Sequence, residues 1–274
     1  ELAESAVYLK AALDASRRLL GPHDEQLLAA VTNYGGSLIR QGRLAEGTPY
    51  FEEALEGFRA TLGDDHHTTM TMVSNMGYLK QELGEFEEAE RFYLESLETR
   101  RRVLGEDHAD TLVSELNLAN LYIERGDPAA GEPLLLHTVG VRRRDLGEAH
   151  PRTINAANNL SVVYRLLGRP GDALRITEAQ VQRTLPELPD RHSMVGSVWS
   201  EHARSLLDME RFADASAAAK NAYEARTATF GPSHSSVLAA AELVIEVHER
   251  WHVAEPDAGH DRTADEWKTK HGPD

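Results

Sequence analysis

The side chains able to do chemistry recur at a fixed interval. Histidine stands at His66, His108, His150, His192 and His234, one every 42 residues, with Asp24 where the series would begin. Asparagine keeps the same interval at Asn33, Asn75, Asn117 and Asn159, and Glu201 takes the fifth place. Arginines gather at a third phase: Arg17-Arg18, Arg59, Arg101-Arg102 and Arg143-Arg144. A column of imidazoles invites a metal, but one ligand per repeat cannot converge. Stacked helices pack about 8–10 Å apart, whereas zinc ligands lie about 2 Å from one ion. The histidines are therefore expected to pack or hydrogen-bond where helices begin, and no metal is expected. The arginines fall where cations complement the free carbonyls of a helix C-terminus. No Gly-x-Ser-x-Gly elbow occurs, and polar columns in phase with the period suit a scaffold, so no catalytic residue and no cofactor is expected. The asparagines are the most informative column. An amide both donates and accepts, so a ladder of them can pair with extended backbone, or can tie neighbouring repeats together.

Bulk composition narrows the partners. The 274 residues hold 29 Lys+Arg against 45 Asp+Glu, a formal charge of −16, and no cysteine. That balance argues against neutralising nucleic-acid phosphates or anionic lipid. Without cysteine there are no disulfides, thiolate zinc sites, iron–sulfur clusters or cysteine nucleophiles. No apolar run approaches the roughly 18 residues a spanning helix needs, so no membrane insertion is expected of this segment. The first residue is Glu1, and the sequence reads as part of something longer.

The elements that carry these columns follow from the same period. Leu20-Gly21 recurs as Leu62-Gly63, Leu104-Gly105 and Leu146-Gly147, with Leu188-Pro189 and Phe230-Gly231 as weaker echoes. Between markers, Leu112, Leu116, Ala119 and Ile123 are spaced for one face of a helix, and Gly126 then breaks the chain. Phe86, Ala89, Tyr93 and Leu97 show the same spacing in a second helix. Each period thus predicts two helices of about 16 residues, ended by Gly in the left-handed conformation. A small column at Gly35, Gly77, Ala119, Ser161 and Ala203 predicts close approach of the two helices. A lone pair cannot bury its apolar stripe, so pairs must stack. The predicted fold is all-α, an α-solenoid of antiparallel helix pairs. Its segments are 1–19 (the second helix of a truncated repeat), repeats at 20–61, 62–103, 104–145, 146–187 and 188–229, and a degenerate repeat with a cap at 230–274.

These residues resemble the tetratricopeptide family, whose first-helix pattern is matched by Leu118-Ala119 with Tyr122, Leu160-Ser161 with Tyr164, and Trp199 with Ala203. The long period, the LGEDHADTL and LGEAHPRTI junctions and Asn158-Asn159-Leu160 resemble the kinesin-light-chain type of that family. The resemblance implies a right-handed superhelix with the first helices on its concave face. It also implies a non-catalytic scaffold that binds a peptide or extended segment of a protein partner. The binding residues it then points to are Asn33, Asn75, Asn117 and Asn159, with Asn120, Asn158, Tyr78, Arg40, Arg165 and Arg204 at groove positions that vary between copies.

The tail from Val244 to His271, with Trp251 and Trp267, resembles the ending of bacterial Ser/Thr kinases that carry such repeats, although no kinase motif is present. The alternative function is accordingly a self-association or sensory module, a homodimer tethered to a kinase domain. A cytoplasmic location is expected, with the outer face of a membrane kinase as the alternative. Residues 235–251 and about 262–270 are expected to be helices, with the two tryptophans as a hydrophobic cap.

Overall fold

The computed structural model describes residues 2–189 and 192–271, and among these there are helices and no strand. Residue 1, residues 190–191 and residues 272–274, which belong to the expected first, fifth and last segments, lie outside the described residues. The first helix of each pair is α2 (Glu25–Arg40), α4 (His67–Glu82), α6 (Ala109–Glu124), α8 (Pro151–Leu166), α10 (Ser193–Asp208) and α12 (Ser235–Ala254). Their starting residues step by 42. The second helices are α3 (Leu44–Leu62), α5 (Phe86–Leu104), α7 (Pro128–Leu146), α9 (Pro170–Ala179), α11 (Phe212–Phe230) and α13 (His260–His271), and α1 (Leu2–Leu19) precedes the first pair.

The histidine column begins these first helices. His66, His108, His150, His192 and His234 are N-caps, each accepting through Nδ1 the backbone N–H two residues on, at 3.1 to 3.2 Å. Asp24 does the same at 2.8 Å through a carboxylate oxygen. The acceptor role leaves Nδ1 without a proton, and it satisfies one of the amides a helix N-terminus leaves free. The second helices start differently. Arg43, Arg169 and Arg211 cap without a side-chain bond to the backbone, and each guanidinium reaches the acid three residues on, Glu46, Asp172 or Asp214.

Three expectations need correction. The regular second helices span 19 residues, not 16. Of the marker glycines, Gly63, Gly105, Gly147 and Gly231 have positive φ and Gly21 does not; Gly63 (81°, 168°), Gly105 (95°, 162°) and Gly231 (83°, 160°) lie at extended ψ, a region open to glycine alone, not in the left-handed helical well. The mid-repeat Gly42, Gly84, Gly126 and Gly168 also have positive φ, and at the fifth turn Glu210 takes φ 56° in their place. The third correction is α9, which stops after ten residues and passes through a π turn (Gln180–Thr184) and a 3-10 turn (Leu185–Glu187). Pro186 is the cause: it offers no N–H to the residue four back, and its ring crowds that carbonyl, so the ladder widens and Leu185 N–H bonds the Gln180 carbonyl.

The chain divides into two compact units, residues 1–127 and 128–274. In the first, each helix from α1 to α6 packs on the next, and α4 also touches α6. The small column makes room for a ring: a Cβ on Gly35 would lie 2.9 Å from Tyr50 Cβ and 3.0 Å from Phe51, and one on Gly77 would lie 2.6 Å from the Tyr93 ring. An aromatic of the second helix therefore seats against the first. In the second unit, α7 to α13 pack in sequence, α10 touching α8 and α12 as well.

At its end, α12 runs to Ala254, past the expected limit, before a 3-10 turn at Pro256–Ala258. Trp251 stacks on His260 with ring centroids 3.7 Å apart, and Trp267 meets Tyr223 edge-on at 5.0 Å. Trp267 packs on the cluster that holds Leu243, Val244 and Val247.

Candidate functional site

Two amides of the asparagine column meet at one cleft in the first unit. Asn33 on α2 is exposed, Asn75 on α4 is half-buried, and both line a cleft of about 250 Å³. Its floor is Phe58 and Met72, both buried, and Ala29, Thr32, Thr68, Thr71 and His67 complete the wall. No lining residue is Asp, Glu, Lys or Arg. The geometry follows from the helix pair: Asn33 and Asn75 are one period apart on neighbouring first helices, so their amides stand side by side. Phe58 from α3 closes the gap beneath them.

The rest of the column does different work. Asn117 on α6 donates through Nδ2 to Ser74 Oγ at 3.3 Å, joining α6 to α4. Asn120 on α6, Tyr78 on α4 and Arg40 at the end of α2 are exposed. The Tyr78 phenol is pushed above its ordinary range by partial burial, with Glu82 adding to the shift. It therefore stays a neutral hydrogen-bonding group.

In the second unit Asn159 is half-buried. Asn158 is not a groove residue: it is buried, and its Oδ1 accepts from Gln180 Nε2 at 3.0 Å, because the π turn brings Gln180 onto α8. Arg165 and Arg204 are brought together, with acids between them. Arg165 bonds Asp208 at 2.6 Å and lies 3.6 Å from Glu201, which Arg204 also bonds at 3.0 Å. These two cations compensate Asp208 and Glu201, the latter an acid where the other copies carry asparagine.

A second periodic set escaped the sequence reading. Arg100 and Arg142 are buried, and their Nη1 groups donate to the carbonyls of Asp110 (3.2 Å) and Arg152 (3.0 Å); Arg226 does the same to Ser236 at 2.9 Å. Each acceptor is the second residue of the following first helix, so the guanidinium staples one pair to the next. Arg100 also donates to Ser114 Oγ at 2.7 Å. Burial pulls the Arg100 and Arg226 guanidinium pKa values down from the ordinary arginine range. The period was visible at these positions, but neighbouring exposed arginines masked it.

Other chemistry finds no constellation. Among the described residues no group of three His, Asp or Glu side chains is placed to hold a metal ion, and no helix is long and apolar enough to cross a membrane. A serine–histidine pair exists, Ser216 Oγ and His248 Nε2 at 2.9 Å, but both are buried between α11 and α12. His248 Nδ1 has no orienting partner, and burial, with Lys220 and His260 adding to it, pushes the imidazole down to about 4. A nucleophile needs access and an oriented base, and this pair has neither.

Tetratricopeptide-repeat family models match residues 27–68, 68–130 and 110–178, which together cover more than half of the chain. The chain belongs to the tetratricopeptide-repeat family, whose members are typically non-catalytic scaffolds for protein–protein interaction. Among solved structures it is similar to BtubC (BKLC) from P. vanneervenii, with TM-score 0.69 and 18% identity over 83% of this chain and 91% of that one. A putative kinesin light chain with nearly identical TPR-like repeats from Podospora anserina gives 0.67 and 18%, over 76% and 98%. A tetratricopeptide repeat protein from Parabacteroides merdae gives 0.58 and 20%, over 98% and 92%. The fold is thus that of the kinesin-light-chain-like repeats. No curated protein matches the chain.

Proposed function

We propose that this chain is an interaction scaffold whose first helices bind an extended segment of a partner protein, built of 42-residue helical hairpins beginning at residues 20, 62, 104, 146, 188 and 230. The observation that carries the reading is the cleft between α2 and α4, where Asn33 and Asn75 flank an apolar floor. Two amides on helices about 8–10 Å apart can pair with peptide groups about three residues apart in an extended segment, at roughly 3.3 Å per residue, and the floor between them takes an uncharged side chain. Asn117 holds the third position in the same ladder, and its bond to Ser74 is one that a ligand amide can replace. Asn120, Tyr78 and Arg40 are exposed on three successive first helices and would distinguish one segment from another. In the second unit Asn159, Arg165 and Arg204 extend the series, the arginines with part of their charge already matched by acids.

The test begins with peptides selected on the whole chain from a random display library. Asn33→Ala with Asn75→Ala is expected to weaken the selected peptides about thirtyfold, in line with losing two hydrogen bonds of ~1 kcal/mol each, with the helical circular-dichroism signal and melting temperature held. Unchanged affinity would remove the cleft from the reading. A collapse of the helical signal would instead make the amides structural.

A further inference from the structure

A larger cleft, about 450 Å³, lies among α7, α8 and α9, away from the asparagine column. Its rim carries Arg143, Arg169 and Arg175 against one acid, Asp172, and its apolar floor includes Leu136 and Leu160. The first unit has a cleft in the same register, two periods earlier, of about 320 Å³. There Arg59, Lys80 and Arg91 face Glu52, Glu56 and Glu88, so the lining is balanced. In the second unit Leu136 and Gly140 replace Glu52 and Glu56, Tyr164 replaces Lys80 and Arg169 replaces Glu85, while Arg143 and Arg175 keep the guanidiniums of Arg59 and Arg91. Within a chain of charge −16, this cleft keeps three lining cations, all of them guanidiniums, while its lining acids fall from three to one.

The arginines are held but not saturated. Arg169 stacks over the Tyr164 ring with its carbon 4.5 Å from the centroid, and it bonds Asp172 at 2.7 Å and Glu132 at 2.8 Å. Arg175 also bonds Asp172, and Arg143 bonds Glu148 at 2.7 Å. Exposed pairs of this kind are weak and exchange readily for a better acceptor. A single carboxylate would gain little, because Asp172 already bridges two of the three guanidiniums. A phosphate dianion has three acceptor oxygens and can engage all three. Gly140 leaves open space beside the rim: a Cβ built there meets nothing within 4 Å.

We propose that this cleft binds a phosphomonoester carried on an apolar body, the phosphate on Arg143, Arg169 and Arg175 and the body on the leucine floor. The probe is phenyl phosphate, titrated calorimetrically into the whole chain, with inorganic phosphate and benzoate alongside. Phenyl phosphate is expected to bind about tenfold more tightly than either, since inorganic phosphate lacks the apolar body and benzoate has only two acceptor oxygens for three guanidiniums. Gly140→Glu restores the acid of the balanced cleft in open space. It is expected to weaken phenyl phosphate roughly tenfold by like-charge repulsion without lowering the melting temperature, whereas Gly140→Gln keeps the affinity. Arg59→Gln in the first unit is expected to change nothing. Equal binding of the three probes, full affinity in Gly140→Glu, or loss in Arg59→Gln would overturn the proposal. A phosphotyrosine peptide that binds more tightly than phenyl phosphate assigns the ester to a partner's side chain, equal affinity assigns it to a free ester, and either upholds the site.

Discussion

Glu210 adopts φ 56° at the turn where four other copies place glycine. A side chain in that region crowds the following carbonyl, at about 1–2 kcal/mol for an L-residue. No hydrogen bond offsets the strain, since the turn keeps the same backbone pattern as its glycine counterparts, with Arg211 N–H on the Leu206 carbonyl as Arg43 N–H is on Leu38. Glu210→Gly is therefore expected to stabilise the second unit by about 1 kcal/mol once the greater freedom of glycine in the unfolded chain is subtracted. An upward shift of the thermal or urea midpoint would register it; a downward shift would show that the Glu210 side chain contributes something the backbone does not reveal. The cap histidines illustrate a different residue-scale rule. Imidazole is an uncommon N-cap, yet an unprotonated Nδ1 is an acceptor at the right distance, and it serves five times where Asp24 serves once.

At the scale of elements, α11, α12 and α13 enclose a titratable group. His248 on α12 is 4% exposed, bonds Ser216 on α11, and faces Lys220 from α11 and His260 from α13. Its folded pKa is about 4 against 6.5 for the free side chain. Between those values the unfolded chain binds a proton that the folded chain refuses. The contribution to stability is thus whole above about pH 6.5 and is lost as pH falls toward 4, reaching roughly 3 kcal/mol in total at about 1.36 kcal/mol per unit. Urea midpoints measured from pH 7 to pH 4.5 are expected to fall, and His248→Gln, which still hydrogen-bonds Ser216, is expected to flatten that slope. A slope unchanged by the substitution would place the proton uptake elsewhere.

The same scale explains what the sequence could and could not tell about the helices. Their existence was legible from period and apolar spacing. The break in α9 was not, because the effect of Pro186 appears only when the i to i−4 ladder is drawn through it. The notch at Gly35 and Gly77 was legible as a small column. That it receives the Phe51 and Tyr93 rings required the second helix in place.

For the molecule as a whole, stacked pairs bury their apolar faces on neighbours, so local stability follows local packing. The first unit is cored by Leu28, Val31, Phe51, Met76 and Leu79, and the second has a cluster of Leu206, Leu207, Val244 and Val247. The stretch from Gln180 to Glu187 lacks regular helical bonding. Hydrogen exchange read by mass spectrometry is expected to be fastest there among the second-helix segments of the second unit, and slower in α11. Equal protection across both would mean that the π and 3-10 turns hold as firmly as an α-helix.

The sequence by itself determined the repeat, the alternation of helices, the turns that need positive φ and the absence of thiol chemistry, because each depends on backbone geometry and residue type at one phase of a period. Only the tertiary structure decided what each repeated polar side chain does. Asn33 and Asn75 open onto a cleft, Asn117 bonds Ser74, Asn158 is buried under Gln180, and Arg100 and Arg142 vanish into the interfaces between pairs. A period fixes the direction in which a side chain leaves its helix. Whether water, a carbonyl or another amide meets it there is set by residues on the neighbouring helix, which the same column does not contain.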